Sequence, residues 1–138
     1  MKSAAVPDAE LVPLLQVALA AAERAYIPYS RYPVGAALRA EDGTIFSGCN
    51  VENAAYPATI CAERTALVKA VSEGYQKFDL LVVVTRNGGS PCGSCRQMLY
   101  EFAPQLRIIT ADLNGKIFSD NSLSDLLPDG FGPDSLMR

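Results

Sequence analysis

Hydrophobic residues at the start of the chain recur every three or four positions. This spacing predicts an amphipathic helix that lies on a core through Leu11, Leu14, Leu15, Ala18, Leu19, Ala22 and Tyr26. We expect Asp8 to cap this helix. The segment superficially resembles a secretory leader, but Asp8, Glu10 and Pro13 interrupt it. The helix is therefore the favoured interpretation.

Strand and helix patterns alternate along the rest of the chain. Strands are predicted over 34–40, 44–51, 78–85, 106–111 and 116–118, and further helices over 61–74, 91–102 and 122–127. Turns are expected at Glu41-Asp42-Gly43 and Asn114-Gly115. The run 78–85 is continuously apolar and β-branched, which is typical of a strand buried on both faces.

The order of these elements predicts an α/β fold, a three-layer α/β/α sandwich with a five-stranded mixed sheet. The sequence shows no repeat, linker or low-complexity tract, so we expect one catalytic domain over residues 1–138. No apolar run approaches the roughly 20 residues that a membrane span needs. We therefore expect no membrane partner.

The composition restricts the available chemistry. The chain has no histidine, which excludes Ser/His/Asp triads, Cys/His dyads and His-ligated zinc. Its net charge of -3 argues against binding to a nucleic acid polymer, which normally requires a basic surface. The four cysteines lie in a chain with no other sign of secretion, and we interpret them as reduced thiols.

Three of the cysteines have the spacing of a metal site. Cys61-Ala62-Glu63 is followed, after 27 residues, by Pro91-Cys92-Gly93-Ser94-Cys95. Cys61 and Cys92 each open a predicted helix, where the helix dipole favours a thiolate, and Cys95 lies one turn after Cys92. Three thiolates occupy three corners of a zinc tetrahedron and leave the fourth for water, as in a catalytic site. Glu63 would then stand beside that water.

The charge of such a site calls for compensation. Three thiolates and one Zn²⁺ sum to -1, which disfavours acidification of a bound water. Arg64 lies on the helical face of Cys61, where its guanidinium can donate to a ligand sulfur. Arg96 follows Cys95 and is either a second such donor or an ordinary surface residue.

The motif C-A-E followed by P-C-x-x-C resembles that of the zinc nucleobase deaminases in their three-cysteine form. The chain is similar to the small homotetrameric cytidine deaminases over nearly its whole length, including residues 29–37 (YSRYPVGAA), 48–54 (GCNVENA) and 126–132 (LLPDGFG). This resemblance implies a hydrolase of pyrimidine salvage that converts cytidine and deoxycytidine to uridine and deoxyuridine, releasing ammonia. It also implies a cytoplasmic homotetramer with one zinc ion per subunit.

The resemblance also implies roles for individual residues. Cys61, Cys92 and Cys95 would bind zinc, and Glu63 would carry protons between the attacking water, N3 and the leaving amine. Asn50 and Glu52, on one face of the second strand, would hold the ribose, and Ala62 would contact the substrate. Tyr32 stands where the family usually has phenylalanine against the pyrimidine. Tyr56 and Phe131 would reach a neighbouring subunit's pocket, although Phe131 is equally consistent with core packing.

Other functions remain open on the sequence. Cys92-Gly93-Ser94-Cys95 alone fits a thioredoxin-like dithiol, but this leaves Cys61-Ala62-Glu63 unexplained. A closed structural zinc site would need Cys49 as its fourth ligand, whereas the resemblance implies that Cys49 is not a ligand. Its place on the second predicted strand indicates a small buried hydrophobic residue. Within the deaminases, the alternatives are another aminopyrimidine nucleoside such as blasticidin S, or cytosine in a polymer.

Overall fold

The computed structural model describes residues 9–137, and its helices and strands follow the predicted order. The helices are α1 (Leu11–Ala22), α2 (Ala62–Ser72), α3 (Gly93–Phe102), α4 (Leu123–Leu126) and α5 (Pro133–Leu136). The strands are β1 (Gly35–Ala40), β2 (Ile45–Cys49), β3 (Phe78–Thr85), β4 (Arg107–Asp112) and β5 (Ile117–Ser122). A 3-10 turn, Tyr56–Ala58, lies in the loop before α2. Asp8, the predicted cap of α1, lies outside the described residues.

The five strands form one mixed sheet in the order β2-β1-β3-β4-β5. Only β3 and β4 pair in parallel, with α3 as their crossover, and the other pairs are antiparallel. One face of the sheet packs against α1 through residues such as Leu14 and Ala18. The other face packs against α2 and α3 through residues such as Leu67 and Leu99. The predicted three-layer α/β/α sandwich is confirmed.

Two glycines allow the helices to lie directly on the sheet. A Cβ atom at Gly35 would lie 1.9 Å from the carbonyl oxygen of Ala18 in α1. A Cβ atom at Gly48 would lie 2.4 Å from the carbonyl oxygen of Ala62 and 2.6 Å from the Ala66 nitrogen, both in α2. Because real Cβ atoms do not approach backbone this closely, any larger residue must move the helix.

Several predicted boundaries were wrong, chiefly near the C-terminus. The last strand, predicted over 116–118, spans Ile117–Ser122. The prediction stopped too early because Ser119 and Asn121 are polar, although both are buried. The Ser119 hydroxyl is satisfied by the Thr110 hydroxyl on β4 at 2.6 Å. The final helix is a single turn, and α5 was not predicted. The second strand ends at Cys49, so that Asn50 and Glu52 follow it rather than lie on it.

The described helices do not include one that is both long and apolar enough to cross a bilayer. The β2 strand forms one edge of the sheet. There, the Lys69 ammonium group on α2 donates hydrogen bonds to the carbonyl oxygen and the hydroxyl of Ser47.

The close contact of β2 with α2 makes Gly48 sensitive to substitution. Gly48→Ala should lower the free energy of unfolding by about 1–3 kcal/mol, because the added methyl group must displace the α2 backbone. Denaturant unfolding of the zinc-loaded protein measures this change. Ser47→Ala, at the neighbouring position of the same strand, is the control and should change stability by less than about 1 kcal/mol. Equal effects of the two substitutions would contradict this account of the packing.

Candidate metal and catalytic site

The direction of the strands brings the beginnings of α2 and α3 together. Since β2 and β3 are both antiparallel to β1, they run in the same direction. Their C-terminal ends therefore lie along the same edge of the sheet, one formed by strand ends and distinct from the edge strand β2. Their ends are nearly level in the register, because Gly35 pairs with both Cys49, the last residue of β2, and Val84, the residue before the end of β3. The chain leaves this edge after β2 to enter α2 and after β3 to enter α3. The N-termini of both helices therefore lie at this edge.

Three cysteine sulfurs meet at these helix ends. Cys61 immediately precedes α2, Cys92 immediately precedes α3, and Cys95 lies in the first turn of α3. The Sγ atoms of Cys61 and Cys92 are 4.0 Å apart and those of Cys92 and Cys95 are 3.5 Å apart. Tetrahedral zinc with bonds of about 2.3 Å to sulfur requires sulfurs roughly 3.8 Å apart. The three thiols therefore fit zinc.

The charge environment favours a thiolate at Cys61. The pKa of Cys61 falls to about 5, mainly because of a hydrogen bond with the Cys95 thiol. Partial burial of Cys61 opposes this effect, whereas Arg64 strengthens it by donating from Nη2 to the Cys61 Sγ at 3.3 Å. The same thiol–thiol bond, together with burial, raises the pKa of Cys95. In the metal-free cluster, the negative charge is therefore concentrated on Cys61, next to Arg64.

Arg96 makes contacts away from the sulfurs. Its Nε donates to the Pro91 carbonyl at 2.8 Å, its Nη1 to the Leu126 carbonyl at 2.7 Å and its Nη2 to the Ser90 hydroxyl at 2.8 Å. Arg96 therefore fixes the segment leading to Cys92 against the end of α4.

Glu63 is buried in the first turn of α2 and lines a cavity of about 240 Å³. Burial raises the pKa of its carboxyl group to about 7. A hydrogen bond from its own backbone N–H lowers this pKa, the charge of Cys61 raises it, and Arg64 lowers it. A carboxyl group that titrates near neutrality can both accept and return a proton.

The same cavity collects several of the predicted substrate residues. Tyr32, Asn50 and Ala62 line it together with Cys61 and Glu63. The amide of Asn50 also braces the segment before β1. Its Oδ1 accepts from the Val34 N–H at 3.0 Å, and its Nδ2 donates to the Tyr32 carbonyl at 2.9 Å.

Glu52 lies in an adjoining cavity of about 380 Å³ rather than beside Glu63. Its carboxylate accepts hydrogen bonds from the backbone N–H groups of Tyr29 at 3.0 Å and Ser30 at 3.1 Å, and from the Ser30 hydroxyl. The bond from the Ser30 hydroxyl is the main reason that the pKa of Glu52 is lowered. Thr59 lines both cavities and marks where they adjoin.

The remaining predicted residues lie outside the Glu63 cavity. Tyr56 is 73% exposed and Phe131 is 57% exposed, so Phe131 does not pack in the core of this chain. Gln97 Nε2 donates a hydrogen bond to the Phe131 carbonyl oxygen at 2.8 Å. Cys49 is half-buried rather than fully buried, and its Sγ contacts the Arg24 carbonyl at 3.6 Å. Among the described residues, the metal-binding cluster comprises Cys61, Cys92 and Cys95 without Cys49.

Sequence reasoning missed several residues of the cavity wall. Thr85 ends β3, and Ser90 precedes the Pro91-Cys92 pair, so their positions relative to the motif were available as a signal. Asn87 is not among the residues that line the cavity, but its amide oxygen accepts a hydrogen bond from the Tyr32 hydroxyl at 2.6 Å. It lies in a loop without a local signal.

Comparison with known proteins identifies a consistent group. Residues 10–111 match the family model of the cytidine and deoxycytidylate deaminase zinc-binding region. The cytidine deaminase of Sporosarcina psychrophila is 50% identical over 119 residues, covering 84% of this chain and 87% of that protein. The crystal structure of cytidine deaminase from Burkholderia pseudomallei superposes with a TM-score of 0.82 at 46% identity, covering 87% of this chain and 98% of that one.

A more distant relative bears on the choice of substrate. The blasticidin-S deaminase of Bacillus cereus is 32% identical over 109 residues, covering 72% of this chain and 76% of that protein. The cytidine deaminases are therefore the more similar group.

Burial of Glu63 should make the stability of the zinc-free protein depend on pH. In the unfolded chain the carboxyl group loses its proton near pH 4.5, whereas in the folded chain it keeps the proton until about pH 7. Ionisation therefore destabilises the fold as the pH rises from 4.5 to 7. Glu63→Gln removes this effect and should be more stable than the wild type by up to about 3 kcal/mol at pH 7.5. The two proteins should approach equal stability near pH 4.5.

Urea unfolding of both zinc-free proteins at several pH values measures this difference. A stability gap that stays constant between pH 4.5 and 7.5 would show that Glu63 is not the titrating group.

Proposed function

This chain belongs to the cytidine and deoxycytidylate deaminase family, and from that premise we propose that it hydrolyses cytidine and deoxycytidine to uridine and deoxyuridine, releasing ammonia. One observation carries the proposal. A buried carboxyl group with a pKa near 7, that of Glu63, lies in one cavity with Cys61 of the three-thiol cluster. A dithiol redox protein would have no use for this carboxyl group, and a structural zinc site would need a fourth ligand that Cys49 does not supply.

The zinc site is formed by Cys61, Cys92 and Cys95. Zinc bound there would supply Lewis acidity, which would make the attacking water more acidic. Arg64 offsets part of the negative charge of the three thiolates through its hydrogen bond to the Cys61 sulfur. The positive ends of α2 and α3 act in the same direction.

Glu63 is the proton carrier of the proposed reaction. It takes a proton from the water that attacks C4 of the cytosine ring and delivers it to N3, which makes C4 more electrophilic. It then transfers the second proton of that water to the amino group as the C4–N bond breaks and ammonia leaves. The new C4–O bond becomes the carbonyl of the uracil ring. Because its pKa is near 7, Glu63 can perform both transfers at neutral pH.

The two adjoining cavities suit the two halves of a nucleoside. The cavity of Glu63 contains Tyr32, Asn50 and Ala62 and would hold the pyrimidine. The cavity of Glu52 begins at Thr59 and would hold the sugar, with Glu52 near the hydroxyl groups. Asn50 would reach the sugar from the neighbouring cavity of Glu63. The net charge of -3 supports a free nucleoside over a polymer.

The proposal includes a homotetramer that acts in pyrimidine salvage in the cytoplasm. Tyr56 and Phe131 are exposed aromatic residues in this chain, and burial against neighbouring subunits would remove them from water. Four free cysteines suit a reducing compartment, where thiolates stay available to zinc.

Activity can be measured directly from the ultraviolet absorbance of cytidine. Zinc-loaded protein should deaminate cytidine and deoxycytidine, and Glu63→Gln should reduce kcat by at least a thousandfold while retaining zinc. The matched control is Glu73→Gln, at the exposed C-terminal end of the same helix, which should leave kcat unchanged. Turnover of blasticidin S without turnover of either nucleoside would overturn the proposed substrate.

The proposed assembly is tested by light scattering together with kinetics. The wild type should have the mass of four chains, and Phe131→Ala should raise KM by about tenfold or dissociate the tetramer, because a neighbouring pocket loses an aromatic wall. A fully active monomer would contradict the shared pocket.

A further inference from the structure

The Tyr32 hydroxyl connects two loops on either side of the Glu63 cavity. Tyr32 lies between α1 and β1, and its hydroxyl donates to Asn87 Oδ1 at 2.6 Å in the loop between β3 and α3. The Thr85 hydroxyl donates to the same oxygen at 3.4 Å and accepts from the Gly89 N–H at 2.8 Å. The Asn87 amide oxygen is thus the shared acceptor of both hydroxyl groups.

Tyr32 is held at its backbone and its ring as well. Its N–H donates to the Ser30 hydroxyl at 3.0 Å, and its carbonyl accepts from Asn50 Nδ2 at 2.9 Å. The guanidinium carbon of Arg86 lies 5.4 Å from the centroid of the Tyr32 ring, and Arg86 also donates to the Arg31 carbonyl. The ring that lines the cavity is therefore fixed from several directions.

Asn87 owes its position to the turn that follows it. Gly88 has φ +71°, a backbone conformation that residues with a side chain rarely adopt. A Cβ atom at this position would lie 2.4 Å from the Phe118 ring on β5. The loop therefore packs directly against the Phe118 side chain of β5. Two residues farther along, the same loop enters the Ser90-Pro91-Cys92 segment of the metal site.

We propose that Tyr32 is a positioning residue that acts through Asn87, holding the cavity wall in its binding shape before the nucleoside arrives. This inference rests on the proposed function for its substrate. A phenylalanine would keep the aromatic ring but lose the link between the loops. Because the link sets the shape of the empty cavity rather than the proton transfers of Glu63, its loss raises KM and leaves kcat nearly unchanged.

Kinetics of single and double variants of the zinc-loaded protein test this role. Tyr32→Phe and Asn87→Ala should each raise KM for cytidine by about three- to tenfold, with kcat within twofold of the wild type. The double variant should be no worse than either single variant, because both remove one link. Asn87→Asp retains the acceptor oxygen and should keep KM close to that of the wild type. Additive effects in the double variant would overturn the role of Asn87.

The matched control is Tyr75→Phe. The Tyr75 hydroxyl lies 3.4 Å from the Thr44 hydroxyl and outside the Glu63 cavity, so KM should not change. A rise in KM equal to that of Tyr32→Phe would overturn the specific role of Tyr32.

Hydrogen–deuterium exchange provides a readout that does not depend on turnover. In the zinc-loaded, substrate-free protein, the peptide covering residues 85–92 should exchange faster in Tyr32→Phe and Asn87→Ala than in the wild type or Tyr75→Phe. Unchanged exchange in Tyr32→Phe would overturn the link even if KM rises. If the wild type does not deaminate cytidine, the proposed function fails, and the exchange rates still decide whether Tyr32 holds this loop.

Discussion

The shared direction of β2 and β3 is the constraint on which the rest of the site depends. Because each strand is antiparallel to β1, the C-terminal ends of both strands lie side by side at one end of the sheet. Each helix that follows therefore begins there, and Cys61 and Cys92 occupy equivalent positions before the first helical turns. Two helix N-termini direct their positive ends at sulfur, which is the charge that a thiolate cluster needs. No histidine is required, and the chain has none.

Burial of Glu63 illustrates how a functional carboxyl group lowers stability. Glu63 is buried in the first turn of α2, two residues after Cys61, so that burial and, to a lesser extent, the thiolate charge both oppose ionisation of the carboxyl group. Arg64, one residue later, lowers the pKa again but does not return it to its ordinary value. The result is a carboxyl group whose two protonation states are both accessible near neutrality, at the expense of folding free energy.

The sequence predicted what periodicity and spacing encode. The buried strand β3 and the helices α1, α2 and α3 have regular apolar patterns, and the cysteine spacing predicted the cluster that the fold brings together. The prediction ended β5 too early because the inward residues of this strand are polar. Partners on another strand satisfy them, as in the hydrogen bond between Ser119 and Thr110. The contacts of Arg96 with α4 and the link between Tyr32 and Asn87 join segments that are 30 and 55 residues apart, and no local pattern reports them.

Lys69 has a consequence for how copies of this chain can associate. The edge strand of a sheet carries unpaired backbone N–H and C=O groups, with which a strand from another molecule can pair. On β2, the Ser47 carbonyl already accepts a hydrogen bond from the Lys69 ammonium group, which also places a positive charge at that edge. An incoming strand would have to displace this charge and break its hydrogen bond. Sheet extension through β2 is therefore disfavoured, so that Lys69, a residue of α2, protects an edge of the sheet to which it does not belong.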